Sequence, residues 1–203
     1  MGELDFQGFF LPVMLFAFVM SATPGPNNIM LTASGANYGF RRTLPHMFGI
    51  SCGFLALIAT VAAGLGALFV AYPPLQTTLR VVGSAYLLYL AWRIATANPE
   101  GHGGGEGKPI TFLEAAGFQF ANPKAWIMAI SAVSAFTLSG DAYVVSAVAV
   151  ALTCSLVNLP SIGMWAAFGT AIGWLLRSAN AWRRFNHAMG GLTAACVLLI
   201  VLD

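Results

Sequence analysis

Thr23-Pro24-Gly25-Pro26-Asn27-Asn28 lies inside a run that carries no charge from Phe6 to Phe40. Proline lacks an N–H and its ring clashes with the preceding helical turn, so a helix reaching this stretch must break. Asn122-Pro123-Lys124 interrupts a second apolar run in the same way. These two breaks organise the rest of the chain.

Of the 203 residues, 58% are hydrophobic and only 8% are charged, and mean hydropathy is +0.78. Soluble domains carry about 25% charged residues. A soluble fold of this size could not hide so much apolar surface, which implies an all-α integral membrane protein with the lipid bilayer as its surroundings. The net charge of +2 is too small to imply a nucleic-acid partner. Met1-Gly2-Glu3-Leu4-Asp5 is acidic, unlike the basic start of a cleaved signal peptide. Cys52, Cys154 and Cys196 all lie in apolar runs. An odd count without CxxC spacing predicts small core residues; no disulfide framework, metal site or cofactor is expected.

A bilayer core is crossed by about 20 apolar residues of helix. Six spans are predicted: 6–38, broken at 24–26; 44–71; 78–96; 112–138, broken at 122–123; 142–176; and 185–202. Arg41, Arg42, Arg93, Lys108, Arg177, Arg183 and Arg184 then fall on one side, seven of the nine basic residues. The positive-inside rule makes that side cytoplasmic, so both termini are expected outside. The opposite side holds Glu3, Asp5, Asp141 and Asp203, with Arg80 its one basic residue. The polar, Gly-rich stretch around 98–111 reads as a flexible cytoplasmic connector between residues 1–97 and 112–203. Its Gly-Glu-Gly-Lys run lacks the upstream glycine of a phosphate loop, since that position is His102.

Three spans on each side of the connector would make the second half an inverted copy of the first, with broken helices one and four matching. A membrane chain of inverted repeats with paired broken helices reads as a transporter whose site lies at the breaks. Thr23 before Pro24 and Asn122 before Pro123 resemble N-caps followed by the proline favoured at the first helical position. The new half-helices would present bare N–H groups and partial positive charge to an anionic group such as a carboxylate. Lys124 sits halfway along its span, where a charge usually faces a cavity or a partner. A ligand carboxylate and a cluster of backbone carbonyls are both candidate partners. Asn158-Leu159-Pro160 predicts a kink in the fifth span, read either as a path lined by Asn158 and Trp165 or as a packing kink. Gly35-x-x-x-Gly39, Gly49-x-x-x-Gly53 and Gly169-x-x-x-Gly173 allow close helix contacts, as internal packing or as a homodimer face. Trp92, Trp174 and Trp182 read as interface anchors.

At Thr23 to Asn28, Gly39-Phe40-Arg41-Arg42, Gly49-x-x-x-Gly53, Gly83 to Trp92 and Phe120 to Ala125, the chain resembles the lysine exporter/homoserine–threonine resistance family (LysE/RhtB-type amino-acid exporters). Ser34 to Pro45, Ala91 to Thr96 and Lys108 to Phe112 look most like its cysteine/O-acetylserine exporter branch. The resemblance implies export of an amino acid from the cytoplasm across the bacterial inner membrane, coupled to protons. Many members carry an acid just after the glycine pair, where this chain has Phe54. A neutral substrate is therefore expected, and the proton-coupling residue is left open, with Asp5 and His46 as surface candidates. The expected site comprises Pro24, Gly25, Pro26, Asn27, Asn28, Asn122, Pro123, Lys124, Asn158, Pro160 and Trp165. A passive channel and a membrane thiol oxidoreductase using Cys52 and Cys154 stand as rival readings.

Overall fold

The computed structural model describes residues 4–65, 71–97 and 108–201, and within these it is all helical. The Gly-rich connector over 98–107, the end of the second predicted span, Glu3 and Asp203 lie outside the described residues.

A π-helical turn at Phe6–Phe10, closed by the Asp5 carboxylate accepting from Gly8 N, leads into α1 (Leu11–Ala22). After Thr23-Pro24-Gly25 the chain resumes as α2 (Pro26–Tyr38), bent 63° from the first segment. One residue, Gly39, separates α2 from α3 (Phe40–Thr60), with φ 78° and ψ 164°. That backbone is open to glycine and costly for other residues. Arg41 and Arg42 thus ride the first turn of α3, not a loop, and Pro45 lies inside the helix. The following helices are α4 (Pro73–Ala95), α5 (Phe112–Ala121), α6 (Pro123–Phe136), α7 (Tyr143–Leu175) and α8 (Ala179–Val201). A capping box starts α5: Thr111 Oγ1 accepts from Glu114 N, and Glu114 Oε2 accepts from Thr111 N. The Asn158-Leu159-Pro160 element does not divide the fifth span, because α7 runs on through it for 33 residues.

Among the described residues, Phe40–Gly64 and Gly140–Leu175 are each long and apolar enough to cross a membrane, and the bent α1–α2 pair makes a third such unit. Helices α4 and α8 have 23 residues each, about 35 Å at 1.5 Å per residue. Leu15, Val81, Val145, Leu156, Phe168 and Leu175 are exposed on the outside of the bundle. So wide an apolar exterior is foreign to a water-soluble monomer and fits lipid.

Lipid offers helices no hydrophobic reason to associate, so close backbone packing must supply much of the attraction. Gly35 on α2 faces the Ala166 carbonyl of α7, and Gly169 and Gly173 on α7 face the Thr32 and Ala36 carbonyls of α2. Gly49 and Gly53 on α3 face the Phe112 and Ala116 carbonyls of α5. A Cβ at Gly169 would lie 2.0 Å from Thr32 O, so no larger residue fits without parting the helices. These glycines serve packing inside the chain; Gly39 alone among them faces open space.

The buried apolar residues form two clusters. One joins Val13 and Ala17 of α1, Leu57 and Ile58 of α3, Ala129 and Ala132 of α6 and Val150 of α7. The other joins Met30 and Leu31 of α2, Ile50 of α3, Leu87 and Leu90 of α4, Phe118 of α5 and Ile162 of α7. The second lies toward the end that carries Arg41, Arg42, Arg93 and Arg177, the basic end. Between the clusters runs a layer of buried polar side chains. Cys154 and Cys196 are buried as expected, whereas Cys52 is exposed on the apolar exterior. Trp92 and Trp174 are exposed as anchors would be. Trp182 is not: it is buried edge-on against Phe185.

Candidate functional site

The polar layer borders a small cavity of about 30 Å³, room for water and well below the roughly 300–1,000 Å³ of a formed small-molecule site, so a substrate would have to part its walls. Both helix breaks reach it. Gly25, Pro26, Asn27 and Asn28 come from the first, and Asn122, Lys124 and Ala125 from the second. Asn158 lines it from α7.

At the first break Thr23 is the C-cap of α1, not the N-cap of a new helix. Gly25 holds the N-cap position of α2, in extended backbone and with no side chain to cap it. Pro26 has no N–H, so helix geometry leaves the N–H groups of Asn27 and Asn28 without intrahelical acceptors. The carbonyls that α1 leaves behind are claimed by side chains. Trp165 Nε1 donates to Ala22 O at 3.2 Å. Asn28 Nδ2 donates to Ser21 O at 3.0 Å and to Thr23 O at 2.7 Å. Lys124 Nζ donates to Thr23 O at 2.5 Å, Thr23 Oγ1 at 2.9 Å and Pro24 O at 3.4 Å. The C-terminal end of α1 is a natural cation site, because its carbonyl dipoles point outward. Of the two partners anticipated for Lys124, the carbonyl cluster is the one it meets here.

The second break is built differently. Asn122 alone separates α5 from α6, and its Oδ1 accepts from Lys124 N at 3.1 Å. Its carbonyl accepts from Ala125 N and Trp126 N. The start of α6 is therefore capped by its own neighbour, and the expectation of bare N–H groups holds for α2 only. The breaks touch through Gly25: a Cβ there would stand 2.9 Å from Lys124 Cδ.

Hydrogen bonds within the layer join elements far apart in sequence. Asn27 and Gln119 exchange amide bonds, Asn27 Nδ2 donating at 2.8 Å and Gln119 Nε2 donating at 3.3 Å. Asn158 Nδ2 donates to Ser21 Oγ at 2.9 Å, and its Oδ1 accepts from Ser51 Oγ at 3.0 Å. Gln119, Ser21 and Ser51 were missed from the sequence. The rule that selected Lys124, a polar side chain at mid-membrane depth, would have selected Gln119 also. Pro24, Pro123, Pro160 and Trp165 do not line the cavity. Pro24 and Trp165 act on it indirectly, through the bonds that hold the end of α1.

A second small cleft, about 30 Å³, opens at the basic end, lined by Ser34, Asn37, Tyr38, Arg93 and Lys108 among others. Arg93 Nη1 meets Glu114 Oε1 at 2.5 Å and Arg93 Nη2 donates to Lys108 O at 3.0 Å. Asn37 and Asn186 exchange amide bonds beside it. Among the described residues no group of His, Cys, Asp and Glu could hold a metal ion.

A family profile described as LysE type translocator matches residues 18–202. The chain belongs to the LysE type translocator family. It is 31% identical over 194 residues to a cysteine/O-acetylserine efflux protein of Escherichia coli (strain K12), covering 93% of this chain and 98% of that one. A protein of the same description from Salmonella choleraesuis (strain SC-B67) is 32% identical over 195 residues, 94% and 95% of the two chains. One from Shigella flexneri serotype 5b (strain 8401) is 31% identical over 194 residues, 93% and 98%. No solved structure matches the chain. Membership makes this LysE-type protein a transmembrane transporter and not an enzyme.

Proposed function

We propose that this LysE-type translocator exports a small neutral amino acid or derivative across the bacterial inner membrane in exchange for protons. Cysteine or O-acetylserine is the first choice of substrate, and threonine or homoserine the second. The observation that carries the reading is the cavity where the uncapped start of α2, the amides of Asn27, Gln119 and Asn158, and Lys124 converge. The substrate carboxylate would take the N–H groups of Asn27 and Asn28. It would draw Lys124 away from the Thr23 and Pro24 carbonyls, a charge-assisted bond replacing weaker ones. Phe54, standing where many members resembling this chain have an acid, lines the same cavity and offers no counter-charge to a basic side chain. The names of the relatives support the substrate class.

In this reading the six spans form two inverted halves, and the basic end is cytoplasmic. The pairing of helices supports it. The α1–α2 segment packs on α7 as the α5–α6 segment packs on α3, while α3 meets α7 and α4 meets α8. Exchanging the halves maps each pairing onto another or onto itself. The cleft beside Arg93 and Asn37 would then be the cytoplasmic vestibule, with α2 lining both it and the cavity.

The test is uptake into everted membrane vesicles of cysteine, O-acetylserine, threonine, homoserine, leucine and arginine. The expected result is uptake of the small neutral compounds that stops when the proton gradient is collapsed, with arginine untouched. Preference for arginine would overturn the substrate class, and uptake indifferent to the gradient would make the protein a passive channel.

A further inference from the structure

His46 is fully buried, contrary to the expected surface position, and neither ring nitrogen has a hydrogen-bond partner among the described residues. A buried polar group normally finds a partner, and one without a partner calls for a reason. It is a costly choice at this place, since a leucine or methionine would fill the same volume without an orphaned polar atom. His46 lies one turn before Gly49, the residue that packs α3 onto the Phe112 carbonyl and the Ala115 side chain of α5. That contact sets it level with the first turn of α5, which carries Glu114. The charged side chains that act on it are Glu114 and Arg93.

The other elements packed on α3 add little. Helix α7 has no Asp, Glu, Lys, Arg or His, and α2 has only Tyr38 as a titratable group. Lys124 of α6 is turned to the mid-level cavity. Tyr86 of α4 donates a long bond to the Glu114 carbonyl. Among the described residues, the carboxylate that acts on His46 is that of Glu114, which is shared with Arg93, and Arg42 stands one turn before it on α3 itself.

We propose that His46 is the proton-carrying residue of this transporter, alternating between neutral and charged beside the Arg93–Glu114 pair. The inference rests on the proton-coupled export reading above. In each cycle one proton from outside adds to a ring-nitrogen lone pair and later leaves to the cytoplasm, while one substrate molecule moves outward. No other bond is made or broken. The imidazolium would compete with Arg93 for Glu114, and so loosen the contacts of Arg93 with Glu114 and Lys108 at the vestibule. Charging at His46 and opening of the basic end become one event.

The experiment uses the full chain reconstituted in liposomes, with O-acetylserine as probe. His46→Gln is expected to lower gradient-driven transport by roughly tenfold or more while substrate–substrate exchange stays within about twofold of wild type. Equal loss of both, or loss of neither, would overturn the assignment. If wild type exchanges O-acetylserine but ignores the proton gradient, the coupled reading falls and His46 with it. If wild type moves none of the compounds tested, the export reading itself falls. Should His46→Gln fail to fold, His102→Gln/His187→Gln leaves His46 as the one histidine for ring ¹⁵N NMR. Its ring is expected to take up a proton as the pH falls, in a substrate-dependent way. A ring that stays neutral throughout, with and without substrate, would overturn the proposal.

Discussion

The two helix breaks do similar work with different chemistry. The second is one residue long and self-contained: Asn122 ends α5, caps α6 and aims Lys124 across the cavity. The first takes three residues, has no N-cap side chain for α2 and, apart from the Thr23 hydroxyl on Met20 O, borrows its stability. Trp165, Asn28 and Lys124 supply the donors that the end of α1 needs. The difference separates two jobs that one break could not do together. A capped terminus is stable without a ligand. An uncapped one leaves donors for a ligand to claim.

The largest effect should come from the bridge between the breaks. Lys124→Ala leaves the Thr23 and Pro24 carbonyls without their cation and removes the one charge among the described residues that line the cavity. Export of O-acetylserine should fall by roughly a hundredfold, or about 2.7 kcal/mol of transition-state binding, with the protein still inserted. Wild-type rates would show that the second break is only a kink. A smaller loss is expected for Gly25→Ala, whose new methyl would sit 2.9 Å from Lys124 Cδ. The lysine is flexible and can shift, so a several-fold rise in KM at an unchanged amount of inserted protein is the expected reading. The smallest effects distinguish the two designs. Asn122→Ala removes a cap worth about 1 kcal/mol and should lower the melting temperature in detergent. Thr23→Ala removes no N-cap, only the hydroxyl that donates to Met20 O and accepts from Lys124, and should lower that temperature less while weakening transport slightly. Equal melting shifts in the two variants would erase the distinction between the breaks.

Both breaks, and the place of Lys124 at a cavity, were legible in the sequence, because proline chemistry and a charge inside an apolar run are local signals. The end at which the arginines gather was legible for the same reason. Which residue caps which helix was not. Thr23-Pro24 and Asn122-Pro123 look alike in sequence, but a second proline two residues on postpones the start of α2 and turns Thr23 into the end of α1. The partners of Asn158 and Asn27 were hidden because Ser51 and Gln119 reach them from helices 107 and 92 residues away in sequence. The burial of His46 was hidden too. Its place near Arg41 and Arg42 suggested the surface, whereas the close approach of α5 at Gly49 covers it.

The glycine contacts gather in the half of the bundle near the basic end, where Gly35, Gly169 and Gly173 bind α2 to α7 and Gly49 and Gly53 bind α3 to α5. The opposite half meets through side chains such as Val13, Ala17, Ala132 and Val150. As doors the two ends are unequal. Parting the first unlocks interleaved backbones, while parting the second slides side chains past one another. The stiff seam can serve as the fulcrum and the softer one as the leaf that swings, which gives a molecule built from two similar halves a direction.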